Sequence, residues 1–171
     1  LYTQPKLPGL ENVLCHTPPA RDARVCKAEV RSDCLSGTLV LPKSGKDGTR
    51  LACGYLITKN RVVLVDDADV LHSHIKRIAK EKLPTDESVG RFMYNLFEQL
   101  ISKDLRHLEE IEDRVEKLED RVLSHQLDDF SIPMTKLRKE AIIWFRYYSQ
   151  LDDVAYEFRE NENGFFSDNE Q

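Results

Sequence analysis

The sequence predicts an α+β fold: a small, largely antiparallel sheet packed by helices in α/β/α-like layers, followed by a long antiparallel helical hairpin. Three patterns predict it. Leu51 to Thr58 and Arg61 to Val65 are apolar, β-branched runs separated only by Lys59-Asn60, the mark of a tight hairpin. Leu108, Ile111, Val115, Leu118 and Val122 recur at spacings of three and four within an otherwise charged stretch. That is the narrow seam of a helix lying along a partner helix. Met134 to Asn161 carries a broader apolar stripe at helical spacing.

Residues 1 to 34 are rich in Pro, Gly and charge, with Pro5, Pro8, Pro18 and Pro19 as punctuation. One short strand fits near Arg24 to Val30, where Val25, Lys27 and Glu29 alternate with Cys26, Ala28 and Val30. Leu39-Val40-Leu41 is a better strand, closed by Pro42 and a turn-rich stretch from Lys43 to Thr49. The hairpin strands follow. Asp66-Asp67-Ala68-Asp69 then opens a helix from Val70 to Lys82, with Val70, Leu71, Ile75 and Ile78 on one face, and Leu83-Pro84-Thr85-Asp86 ends it.

From Asp86 to Ser124 no Gly or Pro appears after Gly90, so an unbroken helix from Arg91 to Leu123 is expected. It would run on the order of 50 Å at ~1.5 Å per residue. Glu110 with Arg114, and Asp113 with Lys117, are i,i+4 pairs in the favourable acid-first order. A loop from Asp128 to Pro133 leads into the last helix. There Leu137, Ala141, Trp144, Phe145, Tyr148, Leu151, Ala155 and Phe158 form one apolar line, and Ile143, Tyr147 and Val154 a second. One partner helix cannot cover both, so this helix is expected to pack on the acidic helix and on something beyond the chain. The organisation expected is one domain, with residues 1–85 as its sheet-and-helix part and 86–171 as its helical part.

Composition bounds the function. A length of 171 residues suits a single domain, and 32% charged residues suit a long solvated helix. The net charge of −5, with basic residues scattered, excludes a nucleic-acid face. No stretch approaches the ~20 apolar residues of a membrane span. No signal peptide is expected, and a chain starting at Leu1 without Met is expected to be a cut fragment. Cys15, Cys26, Cys34 and Cys53 form no Cys-x-x-Cys pair, so free thiols of a reducing cytosol are expected rather than a zinc site or a disulfide framework.

Asp66, Asp67 and Asp69 lie where a strand hands over to a helix, and their oxygens are of the kind magnesium or calcium takes. The same carboxylates can cap the helix, which is the simpler reading. An EF-hand ligand order is missing. His72 and His74 point to different helix faces and cannot easily share a metal, and His107 sits among Glu109, Glu110 and Glu112 as a solvated group. Gly45-Lys46-Asp47-Gly48 resembles a phosphate loop but lacks its glycine spacing and the helix after it, so it reads as a turn. No Ser-His-Asp or Cys-His set can be ordered. The carboxylates from Glu109 to Asp120 stand on a rod rather than in a cleft, unsuited to acid or base catalysis. They solvate the helix, and near an ion path they would concentrate cations. No enzyme is expected and no cofactor is required. Glu160, Glu162, Asp168 and Glu170 form an acidic tail expected to fray.

The central and flanking segments resemble the cytosolic region of the CorA family of divalent-cation channels and transporters. In that family an apolar helix runs into the pattern L-E-x-I-E-x-x-h-x-x-L-E-x-x-V-L. Here Phe92 to Leu100 is followed by Leu108-Glu109-Glu110-Ile111-Glu112, then Leu118-Glu119, then Val122-Leu123. Tyr55 to Val65 resembles the family's hairpin before its first helix, and Leu137-Arg138-Lys139 through Leu151 its next helix. The likeness spans roughly residues 50 to 160. It implies the sensing and gating domain of a magnesium or similar divalent-ion transporter at the cytoplasmic side of the cell membrane. The parent protein would be a homopentamer held through a stalk and membrane helices that this chain lacks, with the fragment itself monomeric. Divalent ions would be regulatory ligands, bridging carboxylates between subunits. The family's h-x-h-E-D-I sensing motif does not occur between Leu35 and Ala52, so no residue is carried over for it. The alternative of another class is a soluble helical adaptor that pairs through the acidic helix.

Overall fold

The computed structural model describes residues 23–42, 52–66, 71–80, 88–125 and 130–167. Its four strands, β1 (Lys27–Val30), β2 (Leu35–Val40), β3 (Ala52–Thr58) and β4 (Arg61–Val65), form one antiparallel meander in sequence order. The two-residue turn at Lys59-Asn60 sets Thr58 opposite Arg61 and so fixes the β3–β4 register. The sheet gains more from the N-terminal side than alternation alone suggests. β2 begins at Leu35, four positions before the expected Leu39, and all of it is buried. Small polar residues disguise that start. Thr38 donates its hydroxyl to the Val25 carbonyl at 2.8 Å, so its burial leaves no polar group unpaired. Gly37 is there because Tyr55 crosses it to donate to the Lys27 carbonyl at 3.0 Å.

Among the described residues four helices follow: α1 (Leu71–Lys80), α2 (Val89–Ile101), α3 (Asp104–Leu123) and α4 (Ser131–Glu160). Leu71 and Ile78 of α1 are buried and Ile75 is partly so. The expected ends of this helix, Val70 on one side and Glu81 to Asp86 on the other, lie outside the described residues. The expected loop around Gly45 to Gly48 also lies outside them, as does Cys15. The single rod from Arg91 to Leu123 is in fact two helices. The break falls at Ser102-Lys103, where the Ser102 hydroxyl turns back onto the Gln99 carbonyl at 2.9 Å and the next helix starts at Asp104. A serine bonded to the preceding turn favours a bend, and an acid at a helix start is favoured by the exposed N–H groups.

The last helix starts at Ser131, three residues before the expected Met134. Pro133 is tolerated there because first-turn N–H groups have no helical acceptor to lose. A helix of 30 residues runs about 45 Å. Its buried line is Leu137, Trp144, Tyr147 and Val154, with Tyr148, Leu151 and Phe158 partly covered. Ile142, Ile143 and Phe145 are exposed, as the excess of apolar residues implied. The N-terminal half of α4 lies antiparallel to α3, and its C-terminal half lies on the sheet. There Gln150 accepts from the Cys26 N–H at 3.0 Å, and Phe158 packs against Tyr55, Phe97 and Phe166.

From Asn161 to Phe166 the chain after α4 is held in place. Asn161 takes the left-handed conformation (φ 46°) that ends many helices, and its side chain makes two hydrogen bonds with the Phe166 backbone. Asn163 donates to the Arg31 and Cys34 carbonyls at 2.9 and 3.2 Å, clamping this segment to the β1–β2 turn. Phe166 is buried. Only Asp168 and Glu170 of the predicted acidic tail fall outside the described residues.

A Cβ added at Gly37 would meet the Lys27 carbonyl oxygen at 1.9 Å and the Tyr55 hydroxyl at 2.6 Å. Gly37→Ala must therefore push β1 and β2 apart or expel Tyr55. Urea unfolding of this variant is expected to show a loss of about 3 kcal/mol, the upper end of ordinary overpacking. An unchanged midpoint would show that the strands can separate freely.

Candidate functional site

Of the predicted metal candidates, only Asp66 is among the described residues. Asp66 accepts from the Leu71 N–H at 2.6 Å, so one of its oxygens caps the start of α1. Asp67 and Asp69 lie outside the described residues. Among the described residues no three His, Cys, Asp or Glu side chains stand where they could share a metal ion. His72 is exposed, while His74 is half-buried and its imidazole is held below the ordinary range, first by burial and then by Lys103 and Arg77. Cys26, Cys34 and Cys53 are free, buried thiols; burial pushes Cys53 up to about 12, so none of the ready thiolate chemistry of an exposed cysteine is available there.

The seam residues come together as a face. Ile111 and Leu118 are buried, and Leu108, Val115 and Val122 are half-buried. Ile111 and Leu118 belong to the core that contains Leu137, Trp144 and Tyr147 of α4, with Leu108 and Val115 packed against it. Around the seam the charges are sorted by reach. Lys117 and Asp113 pair at 3.8 Å as expected, but Glu110 does not take Arg114. Arg114 instead crosses to α4 and meets Glu140 at 2.8 Å, while Glu110 lies 4.0 Å from Arg106. The cross-helix partner wins because the half-buried Glu140 carboxylate on α4 offers a less screened charge than the more exposed Glu110 on the same helix.

The most unusual group in this face is one that sequence reasoning passed over. Asp104, the first residue of α3, is 7% exposed, and its carboxylate accepts from the Tyr148 hydroxyl at 3.1 Å. Burial holds its carboxyl above the ordinary carboxylate range, although the Tyr148 bond and the nearby His107 both pull it down. Burial likewise pushes the Tyr148 phenol up to about 12, with the Asp104 charge second. One turn on, His107 is not solvated as expected. Its ring packs 4.8 Å from that of Trp144, with Nε2 at 3.3 Å from Glu140 and Nδ1 at 3.6 Å from Glu110. Asp104, His107, Arg114, Glu140 and Tyr148 thus form a polar ladder along the base of the hairpin. Two apolar clefts lie on the described surface. One of about 270 Å³ lies between α2 and the end of α4, with Arg159 the one charged residue lining it. Another of about 260 Å³ lies at the hairpin tip around Leu118, Val122, Phe130 and Met134. Neither brings together the convergent polar groups that catalysis requires.

The family profile described as CorA-like Mg2+ transporter protein matches residues 21–171, a longer span than the residues that carried the resemblance. Among solved structures, the soluble domain of CorA from Methanocaldococcus jannaschii has the same fold, with a TM-score of 0.68 at 18% identity. The superposition covers 86% of this chain and 60% of that one, so this chain accounts for well under the neighbour's whole length. No curated protein matches it. None of the helices among the described residues is long and apolar enough to cross a membrane.

Burial of the Asp104 carboxyl makes stability depend on pH with a definite sign. A carboxyl whose folded pKa lies above its unfolded value binds its proton more tightly in the native state, so ionising it costs stability. Its contribution is most favourable below the unfolded pKa, and it is lost as pH rises through the folded value. Relative to Asp104→Asn, wild-type stability in urea should therefore decline progressively as pH is raised from about 4 toward 7. Parallel pH profiles for the two proteins would contradict the burial described.

Proposed function

The chain belongs to the CorA-like Mg2+ transporter protein family, and we propose from that membership that it is the ion-responsive cytosolic part of a divalent-cation transporter. The observation that carries the reading is the family match across residues 21–171, which spans the sheet and the whole bent hairpin together. Magnesium is the ion the family description names, and it is the ion we assign. Its regulatory role rests on the physics of the surface. Glu109, Glu112, Asp113, Glu116, Glu119 and Asp120 are all exposed on α3, a dense negative field that divalent ions would screen. With few ligands available from one copy, ions would be shared between neighbouring copies in the full-length membrane protein, their loss letting the copies repel and move apart. Asp66, Asp67 and Asp69 remain our candidates on the sheet side.

The adaptor alternative is less well supported. A helix that recruits a foreign partner needs a free seam, and Ile111 and Leu118 are already buried within the hairpin. Its polar face alone would pair weakly, since exposed ion pairs contribute about 0–1 kcal/mol.

Calorimetry of this chain with Mg2+ tests the ion reading. We expect a weak, millimolar isotherm, since one copy supplies too few of the roughly six oxygens magnesium requires. Replacing Asp66, Asp67 and Asp69 together with Asn should weaken it further while leaving the circular dichroism spectrum unchanged, because Asn also caps helices. Identical isotherms would reduce those aspartates to caps. In the full-length protein reconstituted into vesicles, divalent-ion flux that ignored internal Mg2+ would overturn the regulatory reading.

A further inference from the structure

We propose that the α2–α3 junction is a hinge, and that the hydrogen bond from Tyr148 to Asp104 is the latch that holds its closed angle. The junction has the makings of a hinge. Helical bonding lapses at Ser102-Lys103 with no glycine or proline to force it, and Ile101, Ser102, Lys103, Leu105 and Arg106 around it are exposed. Asp104 is the only buried residue between Ile101 and Arg106. Packing at the base of α3 therefore depends on that carboxylate and not on an apolar contact.

The latch joins a movable part to a fixed one. α4 is tied to the sheet by Gln150 at Cys26, and the segment after it by Asn163 at Arg31 and Cys34. Among the described residues, the side-chain hydrogen bonds of α3 to other elements reach α4 alone: Asp104 to Tyr148 and Arg114 to Glu140. Beyond the base, Ile111 and Leu118 pack as an ordinary apolar seam and keep the far part of the hairpin paired. Loss of the Tyr148 bond leaves a buried carboxylate without its donor, a state that costs more than the bond itself contributed. The carboxylate relieves that cost by moving to water, which swings the first turns of α3 outward about Ser102-Lys103. His107 stands next to Asp104 on the same helix and moves with it, losing its contact with Trp144 and Glu140. The charged and titratable groups facing Asp104 are thus Tyr147 and Tyr148 from α4 and His107 from α3, with Glu110, Glu140 and Arg114 one contact further out.

The hinge does not depend on ion transport, and its test reads the chain directly. Hydrogen–deuterium exchange of the intact chain is compared for wild type, Tyr148→Phe, Asp104→Ala and Asp104→Asn. Tyr148→Phe keeps the ring and removes only the donor, so it serves even if Asp104→Ala fails to fold. Tyr148→Phe should speed exchange of amides 107–109, the first hydrogen-bonded amides of α3, roughly tenfold, as loss of one hydrogen bond to a charged group implies. Amides 111–122 should stay as protected as in wild type. Asp104→Asn, which retains an acceptor for the Tyr148 hydroxyl without the charge, should keep the slow exchange. Fluorescence of Trp144, the chain's one tryptophan, should shift to the red in Tyr148→Phe as His107 withdraws and water enters. Unchanged exchange at 107–109 in Tyr148→Phe would overturn the proposal. So would a uniform rise along the whole of α3, which would mark general destabilisation instead of a hinge.

Discussion

The rest of the structure depends on α4 serving two partners at once. One half must present an apolar face to α3, and the other must present one to the sheet. A single helix meets both demands only if its buried line keeps phase along most of its length, and it does so from Leu137 through Trp144, Tyr147 and Leu151 to Val154 and Phe158. The aromatic residues do most of this. Trp144, Tyr147 and Tyr148 form one ring cluster at the hairpin end, and Phe158 with Tyr55, Phe97 and Phe166 forms another at the sheet end. Two clusters on one rigid rod set the direction of the hairpin relative to the sheet, which is the property a domain needs if it is to pass a change at one end to the other.

Much of this is legible in the sequence, and the reasons differ by element. The β3–β4 hairpin and the seam of α3 follow from periodicity and turn length, which are local. The strand β2 is half hidden because Ser36, Gly37 and Thr38 look like a turn. They are buried only because Thr38 finds the Val25 carbonyl and Gly37 makes room for Tyr55, contacts that exist only once β1 is in place. The clamp from Asn163 joins residues more than 120 positions apart, which no local pattern can announce.

The bend between α2 and α3 is hidden for a subtler reason. Met93, Leu96 and Leu100 pass into Leu108 and Ile111 without losing helical phase, so the apolar stripe gives no sign of a break. The sign is chemical. Position 104 belongs to the same stripe by spacing, and it is filled by Asp instead of Leu or Val. A carboxylate in a seam position, followed three residues later by a histidine, requires a partner on the opposing helix. Tyr148 is that partner, although spacing alone makes it just one more member of the apolar line on α4.

The polar ladder also shows which charges in a crowded acidic helix matter. Most of α3 is solvated, and pairs such as Asp113 with Lys117 are exposed enough for water and salt to take most of their attraction. Arg114 and Glu140 are better shielded, yet both still reach solvent, so they align the helices more than they stabilise them. Asp104 is of another kind. A buried carboxylate with one good donor is a weak source of stability, since desolvation offsets the bond, and an apolar residue of the same shape would pack at less cost. What it contributes instead is a unique arrangement: an apolar seam tolerates small slips of one helix along another, whereas a buried carboxylate tolerates only the alignment that gives it a donor. The base of the hairpin is therefore defined by its least stabilising contact, and the tip by its most ordinary ones.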